Sequence, residues 1–505
     1  MGLTDWVLAK GDEQPGKTAV IEADTGTVTT YGDLSEAVES GARGLTALGV
    51  GRGDVFGICL PNGLDFCVAF HAALRTGAAV TTVSPLASGD DLAFQLRHAR
   101  VRHLATTAEC AERVRQVTAG PETVLVAGEE SWPAVMEGRG GALGSSLGAG
   151  DLAVVPYSSG TTGLPKGVML SHGNLVSNLR QVEPVDGIDE GDRAIAVLPF
   201  SHIYGMQEVM NLTLLAGATL VTLPRFDLGH FLAAIEEYRI TRASLVPPIL
   251  RALARDPLVD DYDLSSLRRI FSGAAPLPAE VATACAERLH CEVRQGYGLT
   301  EASPVTHLMP AGAPHKPSSI GPPLPGTECR VVDLDSRLEV APGASGELWV
   351  RGPQVMQGYL DDPAATAHVL DAEGWLHTGD LVSVDSDGYF SVVDRVKELV
   401  KYKGYQVSPA ELEAVLLTHP AVADAAVVAS PDEEAGEVPK AFVVLSAETS
   451  GDDLIAYVAG RVAPFKRVRR VEAVHRIPRS PAGKLLRREL TAREGARVQE
   501  DPSPV

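Results

Sequence analysis

The chain has 505 residues, 45% hydrophobic and 22% charged, which supplies apolar material for a large core and excludes disorder as its main state. Asp and Glu number 65 against 44 Lys and Arg, and the formal charge of -21 argues against a general nucleic-acid or anionic-membrane binder. At ~150 residues per domain, the length predicts roughly two to four domains.

The first half alternates helix and strand patterns. Leu34, Ala37, Val38, Leu45 and Leu48 recur at helical spacing and predict a helix from Asp33 that stops at Gly49. A buried strand over Val55–Leu60 ends at Pro61-Asn62-Gly63, a helix over Leu64–Arg75 follows, and Ala79–Val83 reads as a strand. Ser88 with Asp91 three residues on resembles a capping box for a helix over Asp90–Ala99. Gly138–Gly150 reads as a loop before a strand over Asp151–Tyr157, with further strands at Ile195–Leu198 and Thr219–Leu223. Such alternation implies parallel sheets covered by helices. From Gly321 to Trp349, short strands and Pro/Gly turns predict a small β-rich subdomain. A different pattern opens at Asp394-Arg395: helix Pro409–Leu417, strands Val422–Ala429 and Ala441–Leu445, helix Asp452–Arg461. We place the domain boundary there, giving an N-terminal domain over 1–394 and a C-terminal α+β domain over 395–505.

Ten Lys or Arg crowd between Arg461 and Arg488 against the single acid Glu472, a candidate polyanion-facing patch or simply a solvated face. The six cysteines form no CxxC pair or zinc-like cluster and sit mostly in apolar runs, so they read as reduced core thiols of a cytoplasmic protein. The first residues have no signal-peptide pattern, no run approaches the ~20 apolar residues of a membrane span, and the last four form neither a prenylation box nor a peroxisomal address.

The strongest chemical signal is Ser158-Ser159-Gly160-Thr161-Thr162-Gly163-Leu164-Pro165-Lys166-Gly167-Val168, which follows an apolar strand. Its glycines let the backbone turn tightly and present N–H groups to an anion, its four hydroxyls add donors, and Lys166 adds a point charge. A Walker A loop differs, because its Lys follows the last glycine and precedes Ser or Thr.

This run resembles the signature of the adenylate-forming superfamily, which includes acyl-CoA synthetases and the adenylation domains of peptide synthetases. Further motifs follow in the family's order. They are Gln295-Gly296-Tyr297-Gly298-Leu299-Thr300-Glu301, Gly346–Gly352 (GELWVRG), Gly374–Asp380 (GWLHTGD), the hinge-like Asp394–Val407 and Pro481-Ala482-Gly483-Lys484. Pro199-Phe200-Ser201-His202-Ile203-Tyr204-Gly205 and Ser272–Leu277 carry a nearer likeness to the 4-coumarate:CoA ligase group, especially its bacterial cinnamate and coumarate members.

The resemblance implies an α/β fold with a large N-terminal domain of helix-covered parallel sheets and a small mobile C-terminal domain. It implies an ATP- and Mg2+-dependent enzyme that converts a carboxylic acid to an acyl-AMP and passes the acyl group to coenzyme A. Ser158, Ser159, Gly160, Thr161, Thr162 and Lys166 would hold the β/γ-phosphates, with Glu301 and Thr161 at the metal. Tyr297 would stack on adenine beside Ala274, Gln295, Gly296 and Thr300. Asp380 would take the ribose hydroxyls, and Arg395 would support ribose or phosphate. Lys484 is the expected catalytic lysine of adenylation. After rotation about Asp394–Lys397, Lys403, Gly404 and Arg225 would meet coenzyme A, and Lys401 and Gln406 occupy positions that matter for catalysis in related ligases. His202 would gate the pocket or serve the thioester step.

Ile203, Tyr204, Phe271, Gly273, Gly298, Pro304 and Val305 are the expected acyl-pocket residues. Ser201 stands after Phe200 where amino-acid-activating relatives usually have Asp, and a buried ammonium without a carboxylate is costly, so an amino-acid substrate is disfavoured. Phe271 stands where plant relatives often have Lys, which favours an apolar tail such as cinnamate or a medium-chain acid. The alternative acceptor is the phosphopantetheine arm of a carrier protein. No nucleic-acid partner and no membrane span are expected.

Overall fold

A computed structural model describes residues 2–116, 120–138, 143, 147–158, 165–313, 316–403, 405–432, 434–479 and 485–500, with side chains through 494. Ser159, Gly160, Thr161, Thr162, Gly404 and Lys484 lie outside the described residues. The chain divides into two compact units, 1–328 with 350–376, and 329–349 with 377–505.

The first unit holds two large mixed sheets. One runs in the order Val305–Leu308, Glu292–Gly298, Arg269–Ser272, Arg242–Leu245, Arg193–Ala196, Thr219–Thr222, Thr18–Glu22, Thr27–Thr30. Its inner pairs are parallel and its two outermost pairs antiparallel. The other runs Gly358–Tyr359, Lys166–Ser171, Leu152–Val154, Ala79–Thr82, Val55–Cys59, His103–Thr106, Thr123–Val126, with Tyr157–Ser158 also on Lys166–Ser171. The parallel strands are almost wholly buried, as expected where helices cover both faces.

Local chemistry sets most boundaries. The first predicted helix spans Tyr31–Ala47, capped reciprocally by Thr30 and Asp33, and Gly49 follows at φ +87°. Ser88 accepts from the Asp91 N–H and opens the helix Gly89–His98. The strand expected over 151–157 is instead broken. Pro156 has no N–H, and on either side of it Val155 donates to Val80 while Tyr157–Ser158 pairs with Lys166–Gly167.

In the second unit, the predicted β-rich stretch contributes Glu328–Val332 and Ser345–Arg351 to a four-stranded sheet completed by Leu376–Val384 and Phe390–Arg395. A second sheet orders Tyr405–Val407, Val400–Tyr402, Gly436–Leu445 and Val422–Asp432, with Arg470–Ala473 parallel to Gly436–Leu445. The helices Pro409–Leu417 and Gly451–Ala459 pack Leu412, Leu416, Leu454 and Val458 against Val427, Ala441 and Val443. No helix among the described residues is long and apolar enough to cross a membrane.

Candidate active site

The two ends of the Ser159–Pro165 segment are fixed by sheet register, because Ser158 and Lys166 are direct antiparallel partners. A hydroxyl and an ammonium therefore start side by side at the base of the glycine-rich segment. The Ser158 hydroxyl donates to Glu301 Oε1 at 3.0 Å. Glu301 lies in the short 3-10 helix Thr300–Ala302, directly after the strand Glu292–Gly298. Its backbone carbonyl accepts from Met356 N at 2.8 Å, which brings the Gly358–Tyr359 strand alongside.

Tyr359 is a member of this cluster that sequence reasoning missed. Its hydroxyl donates to the same Glu301 oxygen at 2.9 Å, and Lys166 Nζ stands 4.9 Å from its ring centroid. Burial and the Glu301 charge both hold the phenol in its protonated, donating form. The one available signal was its place in a Gly-Tyr-Leu run soon after the GELWVRG motif, which by itself reads as core. Two neutral donors thus orient one carboxylate oxygen beside a lysine. A lone oriented carboxylate with hydroxyl neighbours fits Mg2+, which takes few protein ligands and keeps waters.

Phe271, Gly273 and Ala274, and Gly296, Tyr297 and Gly298, lie at and beyond the carboxyl ends of the neighbouring parallel strands Arg269–Ser272 and Glu292–Gly298, where open α/β sheets place ligands. Gly298 must be glycine, because a Cβ there would come within 2.2 Å of the Pro304 carbonyl oxygen. A Cβ at Gly273 would meet the Tyr204 ring at 3.0–3.1 Å, so the small residue lets that ring lie on the backbone. Ala274 adopts φ +67°. Tyr297 packs edge-on to His307, and Val305 is clasped on both its N–H and C=O by Asn178. Gln295 is held at both ends by backbone, donating to Pro317 and accepting from Leu277. Ile203 is buried, and the half-buried His202 lies one turn before Met206, whose N–H donates to its carbonyl. The buried Phe271 ring carries two guanidinium groups, Arg294 at 4.4 Å and Arg242 at 5.1 Å from its centroid. Arg225 is exposed just after the strand Thr219–Thr222.

In the second unit, Asp380 and Arg395 are cross-strand partners, and Arg395 Nε lies 3.1 Å from Asp380 Oδ1. Asp394 faces the other way. Its carboxylate accepts from Ser408 Oγ at 2.5 Å and from Ala410 N at 3.0 Å, at the start of the helix Pro409–Leu417, and burial raises its pKa. Lys401 and Gln406 sit opposite each other on a hairpin, with Lys403 at its tip at φ +47° and ion-paired to Glu434.

Four of the ten basic residues from Arg461 to Arg488 are paired with acids by the fold. Lys466 pairs with Glu411, Arg470 with Asp432 and Arg479 with Asp424. Arg487 is drawn in between Glu398, Glu413 and the Val427 carbonyl. Arg461 and Arg469 lie over the rings of Tyr457 and Tyr402.

Comparison with known proteins gives the same outline. Residues 8–360 match the family described as AMP-binding enzyme, and residues 411–484 match the AMP-binding enzyme C-terminal domain. The chain is 40% identical to "4-coumarate--CoA ligase 2" of Oryza sativa subsp. japonica, over 98% of this chain and 92% of that one. It is also 40% identical to "4-coumarate--CoA ligase" of Pinus taeda, over 90% and 88%. These relatives are plant proteins, where the sequence alone suggested bacterial members of the group. The crystal structure of ATP-bound MatB from Rhodopseudomonas palustris superposes with a TM-score of 0.91 at 28% identity, over 98% of this chain and 100% of that one. With both matched regions in order along nearly the whole chain, this protein belongs to the AMP-binding enzyme family.

Proposed function

We propose that the protein is an AMP-forming acid:CoA ligase that acts on an aromatic acid of the cinnamate or 4-coumarate type. The observation that carries this reading is the Ser158–Glu301–Tyr359–Lys166 cluster at the base of the glycine- and hydroxyl-rich segment. The near-full-length likeness to 4-coumarate–CoA ligases supports the choice of acid and acceptor.

A carboxylate is a poor acyl donor, because its leaving group would be oxide. Attack of the acid's carboxylate oxygen on the α-phosphorus of ATP forms the acyl–phosphate bond, breaks the α–β bridge and releases pyrophosphate. Catalysis of this displacement rests on placed cations and donors. Lys166, Ser158 and the hydroxyls of Ser159, Thr161 and Thr162 bind the β/γ-phosphates in this reading. Glu301, with Thr161, holds Mg2+, which supplies charge neutralisation on the phosphates. Tyr297 stacks on adenine beside Ala274, Gln295, Gly296 and Thr300. Asp380 accepts from the ribose hydroxyls and Arg395 keeps its carboxylate in place. Lys484 bridges the carboxylate and the α-phosphate as charge develops.

The thiol of coenzyme A then attacks the acyl carbonyl, forming the thioester and releasing AMP. For this step we assign Asp394–Lys397 as the pivot of a mobile C-terminal domain over 395–505. Lys403, Gly404 and Arg225 contact coenzyme A, and Lys401, Gln406 and His202 serve the second step. Lys403 must exchange Glu434 for a phosphate, which charge-assisted pairing to a polyanion allows. We place the protein in the cytoplasm, in keeping with six free thiols of which four are buried.

Product analysis tests the reading. Purified protein with ATP, Mg2+, an aromatic acid and coenzyme A is expected to yield AMP and an acyl-CoA thioester. Thioester formed only on a phosphopantetheinylated carrier protein would refute the acceptor.

A further inference from the structure

Asn62 and Thr82 have no part in the chemistry above, yet both reach from one large sheet of the first unit to chain that leaves the other. Asn62 stands in the Pro61-Asn62-Gly63 turn after the strand Val55–Cys59, and Thr82 ends the neighbouring strand Ala79–Thr82. Facing them is the stretch after the strand Arg193–Ala196 of the other sheet, which leads through Phe200 to Tyr204.

The Asn62 side chain is buried and is engaged at both of its polar atoms. Its Nδ2 donates to the Ala196 carbonyl at 3.1 Å and the Leu198 carbonyl at 2.9 Å, while its Oδ1 accepts from Phe200 N at 2.8 Å. Leu198 and Phe200 lie beyond the strand end, so this one amide takes the place of a ladder partner for them. Thr82, also buried, donates its hydroxyl to the Ser201 carbonyl at 2.7 Å. The Phe66 ring, from the helix Leu64–Thr76, meets the buried Phe200 ring edge-on, with centroids 5.4 Å apart.

The far side of the same strand pair reaches the phosphate segment. Thr81 donates to the Val155 carbonyl at 2.8 Å, and Val155 is three residues before Ser158. Adjacent residues of one strand, Thr81 and Thr82, therefore hold the chain entering the phosphate segment and the chain entering Phe200–Tyr204. Past Ser201 the chain turns with no slack. His202 N donates to the Pro199 carbonyl, and a Cβ on Gly205 would come within 2.2 Å of that same oxygen. A shift of Pro199–Ser201 is thus passed on to His202, Ile203 and Tyr204.

We propose that Asn62, seconded by Thr82, is a positioning residue that fixes the Phe200–Tyr204 wall of the acyl site relative to the phosphate segment. The inference rests on the assignment of His202, Ile203 and Tyr204 to the acyl site in the function proposed above. Neither Asn62 nor Thr82 touches the acid in this account, and both act through the main chain they hold.

The test measures acid-dependent pyrophosphate release with the aromatic acid that the wild type uses best, varying acid and ATP separately, in the wild type, Asn62→Ala, Thr82→Val and Thr82→Ser. In Asn62→Ala, kcat/KM for the acid should fall about tenfold or more through a raised KM, with KM for ATP within about twofold of the wild type. Thr82→Val should show the same pattern to a smaller degree, and Thr82→Ser, which keeps the hydroxyl, should restore KM for the acid. A loss of folded protein lowers kcat and leaves both KM values in place. If Asn62→Ala does not fold, the two Thr82 variants decide. An unchanged KM for the acid in the folded variants, equal rises in KM for acid and ATP, or a Thr82→Ser that behaves as Thr82→Val overturns the proposal and leaves the proposed function standing. Absence of pyrophosphate release by the wild type with every acid overturns both.

Discussion

Two hydroxyls, from Ser158 and Tyr359, converge on a single oxygen of Glu301. A carboxylate fixed in this way keeps its second oxygen for a cation without a search among rotamers, which is how supporting bonds tune a metal ligand. Tyr359→Phe deletes one of the two donors and leaves the ring that faces Lys166. A hydrogen bond to a charged group is worth roughly 1.5–3 kcal/mol, so acid-dependent pyrophosphate release should fall about tenfold or more, and half-maximal activity should need more Mg2+. A Mg2+ titration of both proteins checks this, and an unchanged titration would show the phenol to be mere packing. Ser158, Lys166 and Glu301 were legible in the sequence because each stands inside an ordered motif. Tyr359 was not, since its role depends on a strand pairing between Tyr359 and Val168, far apart in sequence.

At the scale of elements, local signals served where one residue decides the geometry. Ser408 accepts from the Glu411 N–H and Pro409 takes the first helical position, so the helix Pro409–Leu417 could be bounded from sequence. The strand over 151–157 was not, because both of its halves pair with the one strand Lys166–Ser171 and only the missing N–H of Pro156 divides them. Arg487 is the clearest tertiary effect. It opens the last helix, three residues beyond Lys484, and joins Glu398 of the hinge motif to Glu413 of the helix Pro409–Leu417. Arg487→Ala strands Glu413 as a buried carboxylate, which should cost about 3–5 kcal/mol. Denaturant unfolding of the second unit should report this loss, and a double variant with Glu413→Gln should recover part of it. Equal stability of the wild type and Arg487→Ala would show that the network contributes nothing.

Across the whole molecule, four histidines are buried in the first unit, His71, His103, His172 and His307. Burial lowers His71 and His307 to about 3 and His172 to about 4, from an ordinary value of 6.5. His172 accepts from the Leu3 N–H at 3.1 Å through Nδ1, a bond that requires that nitrogen to be unprotonated. Their folded pKa values lie below the unfolded one, so between about pH 6.5 and 4 the unfolded chain binds more protons. Stability is therefore complete above pH 6.5 and declines as the pH drops toward 4. Unfolding free energies measured from pH 7 to 5 should fall with acid, with a shallower slope in His172→Gln, and a flat profile would contradict this.

The order of the family motifs carried the architecture from sequence, because spacing along the chain survives where side-chain contacts do not show. The pairing of Lys466, Arg470, Arg479 and Arg487 was invisible there, since Glu411, Asp432, Asp424 and Glu413 reach them only through the fold. The central claim is that the chain joins a carboxylic acid to AMP through a phosphate-gripping segment and a lysine delivered by the C-terminal region. Acid-dependent exchange of labelled pyrophosphate into ATP measures that step alone. The account predicts exchange with an aromatic acid and a loss of roughly 10²–10³ in Lys484→Ala. Exchange that is absent with every acid, or undiminished in that variant, would contradict it.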